Sequence, residues 1–340
     1  MQGEPVLQEV GDSAFAYLQQ GSWGYSNAGL IRGHGASLLV DTLYDLKLTR
    51  QMLTMMMPIT HRATIETVVN THANGDHCWG NQEVAQARII SSKATAEEMG
   101  ELSPATMHLL VRVSRLLTRS RPARKAMHWL GQQGLAPAKN LADAAELVVN
   151  AFGTFDFGPI RLRTPDTTFE GTLEIEVGGQ RVQLIEVGPA HTRGDAIVYL
   201  PEQKVLYTGD ILFMRSHPVL WAGPVENWIA ACDRILALDV DVVVPGHGPL
   251  TDKQGVHTMR KYWVDLLAEA KRGHAAGLDA NSLAYELLPN YEWSESERLV
   301  LNLEALYRQL DQNPVLPHPL AQLGCMGRFL HAPCATHSAT

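Results

Sequence analysis

Apolar segments are joined by glycine-containing turns in two regions of the chain, and both regions are predicted to form β-hairpins. Residues 27–31 and 36–42 are apolar runs separated by a glycine-containing turn. Residues 173–177 and 182–187 alternate on either side of Gly178-Gly179. That pattern is typical of two strands joined by a tight turn. We therefore expect a fold that contains β-sheet formed from neighbouring strands.

Three other regions have the spacing of amphipathic helices. Leucines and methionines recur at helical intervals from residue 46 to 57, where Pro58 is predicted to end the helix. Residues 95–150 also have helical spacing, among arginines and serines, and are interpreted as a helical insertion. The pattern is helical again from about residue 257.

These patterns divide the chain into a main domain over residues 10–265, which carries the helical insertion, and a C-terminal helical extension over residues 266–313. Residues 314–340 are rich in Pro, Gly, His and Ala, and we expect them to form a loose tail. The 340 residues, 45% of them hydrophobic, are enough for a large core.

Four potential metal ligands follow one strand-like segment. Residues 65–70 are apolar and β-branched, and His72, Asn74, Asp76 and His77 come directly after them. Imidazole, amide and carboxylate groups so close together suit zinc, iron or manganese. On this run alone, an ordinary polar turn explains the pattern as well as a metal site does.

Three further His or Asp residues follow apolar runs in the same way. His191, Asp210 and His247 each lie in or beside a glycine-containing turn that comes after a strand-like segment. Strand ends hold loop residues rigidly, so residues far apart in the chain can form one site at the edge of a sheet.

In this order, the loops resemble those of the metallo-β-lactamase superfamily of metallohydrolases, over roughly residues 20–265. The resemblance implies an α/β fold: a four-layer αββα sandwich, here with the helical insertion and the C-terminal helical extension. The first loop of that superfamily is normally H-x-H-x-D-H, and Asn74 replaces its second histidine here. A neutral amide oxygen is a weaker donor than imidazole, so we expect weaker metal binding at that corner.

The resemblance also implies two metal sites that share one aspartate. Site one would consist of His72, Asn74, His191 and Asp210, and site two of Asp76, His77, Asp210 and His247. We expect one or two divalent ions, with zinc as the first choice and iron or manganese as alternatives.

Such a site favours hydrolysis. A bound metal lowers the pKa of water to about 7, and Asp76 and Asp210 are the expected catalytic residues, which hold and orient the hydroxide. We expect an ester, thioester or lactone of a small molecule as substrate, as in a thioesterase or lactonase. The alternatives are an iron-dependent oxygenase or sulfur dioxygenase, and a non-catalytic ligand-binding relative. The chain has no G-x-S-x-G elbow, which argues against a serine hydrolase.

The expected substrate pocket contains apolar and aromatic side chains. Trp23, Phe213 and Trp221 are candidates for its walls, and His217 is a candidate to face the substrate. This composition suits an acyl group, free or bound to a carrier, or an aryl group. A surface-packed aromatic residue and a loop histidine explain the same positions equally well.

Composition and charge narrow the choice of partners. The formal net charge is −8, so we expect no nucleic acid. No run is apolar enough to span a bilayer, so we expect no membrane partner and a cytoplasmic protein. A homo-oligomer is compatible with these features. Six basic residues are close together and suit either an anionic carrier or a solvated helix face: Arg112, Arg115, Arg119, Arg121, Arg124 and Lys125.

Overall fold

The computed structural model describes residues 3–313, 315 and 317–331. By their internal contacts, these residues form two compact units. The first consists of the chain up to His108 together with Phe155–Asp265. The second consists of Leu109–Thr154 and the chain from Leu266 onward. The helical insertion and the C-terminal extension thus belong to the same unit.

The first unit contains a seven-stranded sheet whose strands keep their chain order across the sheet. The first four strands run antiparallel to their neighbours, and β4 to β7 run parallel. The strands are β1 (Val6–Gly11), β2 (Ala14–Leu18), β3 (Ala28–Arg32), β4 (Ala36–Val40), β5 (Thr64–Val69), β6 (Arg88–Ser92) and β7 (Thr167–Phe169).

A five-stranded sheet follows in the same unit. The predicted hairpin around Gly178-Gly179 is present as the antiparallel pair β8–β9, and β11 and β12 are parallel. The strands, in spatial order, are β12 (Val242–Val244), β11 (Val205–Tyr207), β10 (Ala196–Leu200), β9 (Gln180–Glu186) and β8 (Thr172–Val177).

Eleven α-helices lie in the described part of the chain. They are α1 (Leu46–Thr60), α2 (Gly75–Cys78), α3 (Lys93–Glu98), α4 (Pro104–Arg119), α5 (Arg121–Gln132), α6 (Ala136–Phe152), α7 (Val225–Ala237), α8 (Lys253–Ala275), α9 (Ala280–Leu287), α10 (Glu297–Leu310) and α11 (Pro319–His331). Short 3₁₀ turns occur at Asn81–Val84, Gly209–Ile211 and Leu288–Asn290. None of the helices is long and apolar enough to cross a membrane.

The two sheets pack face to face, because alternate residues of each strand point into a shared apolar core. Leu38 and Val69 of the first sheet and Leu184 and Val198 of the second are fully buried in this core. On the other face of the first sheet, a separate cluster includes Met52 of α1. The predicted αββα sandwich is confirmed.

The outer face of the second sheet is linked by hydrogen bonds to the region of helix α7 and the residues directly after it. Tyr199, which points to this face, donates its hydroxyl to the carbonyl oxygen of Asp239, just beyond α7, at 2.9 Å. Trp228 of α7 donates its ring N–H to the carbonyl oxygen of Ile211 at 2.9 Å. This bond fixes the helix against the loop that carries Asp210.

The C-terminal part differs from the loose tail predicted from residue 314. Residues Pro319–His331 form helix α11, and Met326 and Phe329 are buried. Gly327 lies close to α6, because a Cβ atom there would be 2.2 Å from the carbonyl oxygen of Asp143. Small residues in this segment thus permit close helix packing, which composition alone does not indicate. Residues 332–340, including Cys334, lie outside the described residues.

We predict that Leu184→Ala lowers the free energy of unfolding by about 2–5 kcal/mol, because it leaves a cavity between the two sheets. Met57→Ala is the matched control, since Met57 is 59% exposed on α1. Urea unfolding followed by circular dichroism measures both variants. Equal effects of the two substitutions would contradict the packing described here.

Candidate functional site

Loops from both sheets meet at one edge of the sandwich. His72 follows β5, and Asp76 and His77 lie in α2 directly after it. His191 lies in the loop between β9 and β10, Asp210 in the 3₁₀ turn after β11, and His247 in the turn after β12. The structure therefore brings together side chains that the sequence separates by up to 175 residues.

The carboxylate of Asp210 is at the centre of this cluster. Its Oδ2 atom lies 3.3 Å from His191 Nε2, 3.3 Å from His247 Nε2 and 3.8 Å from His72 Nε2. Its Oδ1 atom lies 3.1 Å from His77 Nε2. Only 3% of the side chain is exposed. One buried carboxylate thus contacts four imidazoles, as expected for an aspartate shared between two sites.

Asp76 is on the more open side of the cluster. Its Oδ2 atom lies 3.4 Å from His247 Nε2 and 3.9 Å from His77 Nε2, and its side chain is 14% exposed. The potential ligand atoms of Asp76, His77 and His247 are close enough together to hold one ion, and so are those of His72, His77 and Asp210. The cluster therefore contains a candidate metal site built from His and Asp.

Asn74 faces the same cluster. Its Nδ2 atom lies 3.0 Å from His191 Nε2, so the amide is next to the histidine with which the resemblance groups it. The Nδ1 atom of His191 donates to the carbonyl oxygen of Val219 at 2.7 Å, which leaves Nε2 as the acceptor. The amide therefore occupies the lone pair that His191 would offer to a metal. Whether Asn74 itself is a ligand stays a prediction.

Hydrogen bonds to the Nδ1 atoms fix the orientation of two histidine rings, on the side away from Asp210. His77 Nδ1 donates to Asp41 Oδ2 at 2.8 Å, and Thr71 donates its hydroxyl to the same oxygen at 2.8 Å. Because the hydroxyl proton of Thr71 is used in that bond, its oxygen accepts from His72 Nδ1 at 3.0 Å. Both Nε2 atoms consequently point toward Asp210.

Asp41 has a role that the sequence analysis missed. It follows β4, has a left-handed φ of 63° and is 2% exposed. The signal was available, because Asp41 ends an apolar strand run just as the other site residues do. A carboxylate that accepts from the remote nitrogen of a histidine fixes the ring and makes it a better metal ligand.

Three buried polar atoms of the cluster are suited to bind a cation. His72 Nε2, His77 Nε2 and Asp210 Oδ1 are inaccessible to solvent and make no well-aligned hydrogen bond among the described residues, although the last two atoms lie 3.1 Å apart. Buried polar atoms are normally paired, because leaving them unpaired costs about 1–3 kcal/mol each. A divalent metal ion bound to them would satisfy all three.

The aspartates of the cluster favour positive charge on the groups around them. Burial lowers the pKa of His247, but Asp210 and Asp76 outweigh burial and raise it to about 9. For His77, burial is likewise opposed by Asp210 and Asp41, and the net pKa is well above its usual value. The pKa of Asp210 is held well below its usual value despite burial, because His247 and His77 surround it. A bound divalent cation would supply the same positive charge.

Not every histidine in the cluster shares this behaviour. Burial, together with neighbouring imidazoles, keeps the pKa of His72 well below its usual value. Burial also lowers the pKa of His191 to about 4, although Asp210 opposes the shift. His72 and His191 are therefore neutral at pH 7, which is the form that binds a metal.

Glycine is required at the turn before His247. A Cβ atom on Gly246 would lie 2.0 Å from Asp210 Oδ1 and 2.7 Å from the carbonyl carbon of Gly209. Any other residue would displace either the backbone of the turn or the central carboxylate. The glycine thus allows the loops after β11 and β12 to approach closely enough to share a site.

The predicted pocket residues occupy different environments. Phe213 is buried and stacks on His247, with ring centroids 5.0 Å apart. His217 is also buried, and its Nδ1 atom lies 3.1 Å from the hydroxyl of Tyr262. Trp221 is half-buried, and its backbone N–H donates to the carbonyl oxygen of His191. A substrate contact for any of these three residues stays a prediction.

Trp23 lies half-buried in the loop between β2 and β3. This loop is tied to the site, because Ser26 donates its hydroxyl to the carbonyl oxygen of Asp76 at 2.5 Å. The backbone N–H of Asn27 donates to the carbonyl oxygen of Gly246 at 2.7 Å. The loop therefore borders the site, which keeps Trp23 a candidate wall of the pocket.

Parts of the chain are similar in sequence to known proteins. A 2,4-dinitroanisole O-demethylase subunit alpha from Nocardioides sp. is 30% identical over 121 residues, which are 33% of this chain and 34% of that protein. A linear primary-alkylsulfatase from Pseudomonas sp. is 23% identical over 68% of this chain and 43% of its own length. A hydroxyacylglutathione hydrolase from Brucella ovis is 31% identical over 27% of this chain and 37% of its own length. The chain thus matches less than half the length of each of these relatives.

Solved structures share the fold. The sec-alkylsulfatase Pisa1 from Pseudomonas sp. aligns with a TM-score of 0.63 and 18% identity, over 93% of this chain and 52% of its own. The family model of the Metallo-beta-lactamase superfamily matches residues 21–247, which include His72, Asp210 and His247. Since this match covers more than half of the chain and agrees with the two-sheet sandwich, the resemblance is confirmed, and the chain belongs to the metallo-beta-lactamase superfamily.

Proposed function

We propose that this protein is a metal-dependent hydrolase that cleaves an ester, thioester or lactone bond of a small molecule. The observation that carries the proposal is the buried Asp210 carboxylate, which lies among four imidazoles. Three of these imidazoles are held in place by hydrogen bonds of their Nδ1 atoms. Such an arrangement is fixed before any substrate binds, which is the condition for an efficient catalytic centre.

Six residues of the cluster would bind the metal ion, and one of them, Asp76, would also act on the attacking water. His72, His77, His191, His247, Asp76 and Asp210 would hold the metal, with zinc as the first choice. When bound, a divalent metal lowers the pKa of a water molecule to about 7 and polarises the bond to be cleaved. Asp210 is buried and fixed, whereas Asp76 and His247 are 14% and 9% exposed. The substrate therefore approaches from the side of Asp76, whose carboxylate is suited to accept a proton from the attacking water.

The relatives support more than one ester class. A hydroxyacylglutathione hydrolase supports cleavage of a thioester of a small molecule. Two alkylsulfatase matches span most of this chain, over 68% by sequence and 93% by structure, and they favour a sulfate ester as a second candidate. The same apolar and aromatic surroundings suit the alkyl or aryl part of either substrate. Phe213, which stacks on His247, is one side chain of this kind beside the cluster.

A substrate panel tests the proposal. The protein is prepared separately with zinc, manganese and ferrous iron, and its metal content is measured. Each form is assayed with acyl thioesters, lactones, aryl esters, alkyl sulfates, β-lactams and a nitroaryl methyl ether. Hydrolysis of a carboxylic ester, thioester or lactone supports the proposal, and hydrolysis of alkyl sulfates alone selects the second candidate. Oxygen consumption by the iron form, with no hydrolysis by any form, would favour the oxygenase alternative.

We predict that Asp210→Ala lowers kcat about a thousandfold or more, equivalent to about 4 kcal/mol, because the central carboxylate holds the cluster together. Metal content should fall in the same variant. Asp12→Ala is the control, since Asp12 is an exposed residue of the first unit. A variant at position 210 that retains full activity and a full metal content would refute the proposed site.

We predict that Asp76→Asn lowers kcat steeply and changes KM little, because it removes a proton acceptor on the open side without closing the pocket. Initial rates over a range of substrate concentrations separate the two constants. If KM rises while kcat is unchanged, Asp76 acts in binding instead.

We predict that Asn74→His increases the number of ions bound per chain when metal is limiting. Imidazole is a stronger donor than a neutral amide, and residue 74 already lies next to His191. Asn74→Ala is the companion variant, which removes the amide without adding a ligand. Metal titration followed by elemental analysis gives the count. An identical count and affinity in all three proteins would mean that residue 74 is not a ligand.

We predict that Asp41→Ala weakens metal binding about 10–100-fold, because His77 and Thr71 lose the carboxylate that orients them. Asp41→Asn should retain part of the affinity, since its amide oxygen still accepts from His77 Nδ1. Titration with a chromophoric chelator as competitor measures both. Equal loss in the two variants would show that the charge of Asp41 matters more than its hydrogen bond.

A further inference from the structure

Helix α5 in the second unit contacts its neighbour α6 through polar and small residues. Arg124 and His128 point to α6, where Arg124 lies 3.8 Å from Glu146 and His128 lies 3.6 Å from Asp143. Gly131 is on the same side, because a Cβ atom there would be 2.4 Å from the Cβ of Lys139. The helix thus turns charged and small residues toward its neighbour.

The opposite side of α5 is apolar and exposed. Pro122, Ala126 and Trp129 are exposed, and Trp129 keeps 58% of its surface accessible. No residue of α5 is buried. A surface helix normally turns its large apolar side chains inward, so a tryptophan that stays 58% accessible indicates a surface that binds a partner.

Helix α4 presents a second exposed stripe. Leu109, Arg112, Leu116 and Arg119 follow one another at steps of three or four residues and therefore share one side of the helix. All four are exposed, and the two leucines are 60% and 61% accessible. Leu135, just after α5, is 56% accessible. Large apolar side chains and arginines thus alternate on the surface.

The charge of this region is strongly one-sided. Residues 102–142 include seven basic residues and no acidic one, in a chain whose net charge is −8. Within the described residues, Arg112, Arg119, Arg121 and Lys125 form no ion pair. An anionic partner would therefore meet positive charge that the protein itself does not neutralise.

We propose that residues 109–135, which comprise most of α4 and all of α5, bind the surface of an anionic lipid membrane. Exposed leucine and tryptophan flanked by Arg and Lys is the pattern of helices that lie in a bilayer interface. The apolar side chains enter the boundary between headgroups and acyl chains, and the basic side chains contact the lipid phosphates. This inference does not depend on the proposed function.

A second copy of the chain fits this face less well. Two copies related by a two-fold axis would place the same patch opposite itself, so arginines would face arginines. No membrane partner is expected from the sequence, because no run is apolar enough to span a bilayer. A helix that lies on the surface needs no such segment.

Vesicle flotation tests the proposal with the full-length protein. The vesicles contain either phosphatidylcholine alone or phosphatidylcholine with about one quarter phosphatidylserine. We expect binding to the anionic vesicles, with much weaker binding to the neutral ones and a decrease as salt is raised. Leu116→Ser with Trp129→Ser should weaken binding at least about tenfold. Arg112→Gln with Arg119→Gln should weaken it roughly fivefold for each arginine.

Matched variants outside the segment serve as controls. Met57→Ser replaces an equally exposed apolar residue on α1, and Lys47→Gln with Lys271→Gln removes two exposed charges elsewhere. These variants should bind as the unmodified protein does, and thermal melts verify that all variants are folded. Absent vesicle binding, equal binding to neutral vesicles, or equal loss in the controls would overturn the proposal. A dimer lost in Leu116→Ser with Trp129→Ser, with no vesicle binding, would instead assign the face to a second copy.

Discussion

A carboxylate that is 97% buried needs compensating charge, and Asp210 is surrounded by four imidazoles from three other loops. His77 and His247 supply the positive charge, and the neutral His72 and His191 complete the surroundings. An unpaired charge in such a position would cost several kcal/mol. The loops after β5, β9, β11 and β12 must therefore all be in place before this residue is stable. The order of the strands, the closeness of Gly246 to Asp210 and the anchoring of the histidines all serve that one contact.

The parts of this arrangement that depend on local pattern could be predicted from the sequence. Alternating residues around Gly178-Gly179 identified the hairpin, and the repeated placement of His or Asp after apolar runs identified the loops of the site. The family follows from the same loops. These features were predictable because strand alternation and turn glycines can be recognised directly in the sequence.

Other features depend on contacts that a single sequence does not reveal. Pro58 was predicted to end α1, but the helix continues to Thr60, since a proline near the end of a helix disturbs few backbone bonds. The packing of α11 depends on where α6 lies, and so does the outward apolar face of α5. Helical spacing identifies an apolar face but not the side to which it points. Asp41 ends an apolar run as the other site residues do, but its hydrogen bond to His77, 36 residues away, is visible only in the structure.

The residues around Asp210 extend from position 41 to position 247, and this distance determines when the site can form during folding. A nascent chain that has produced only the first sheet has His72 and His77 but lacks the carboxylate between them. Contacts over such sequence separations form late and slowly. A metal ion should therefore bind only after the two sheets have packed together. A metal ion added during refolding should leave the rates of the early folding steps unchanged. It should instead lower the unfolding rate of the folded protein.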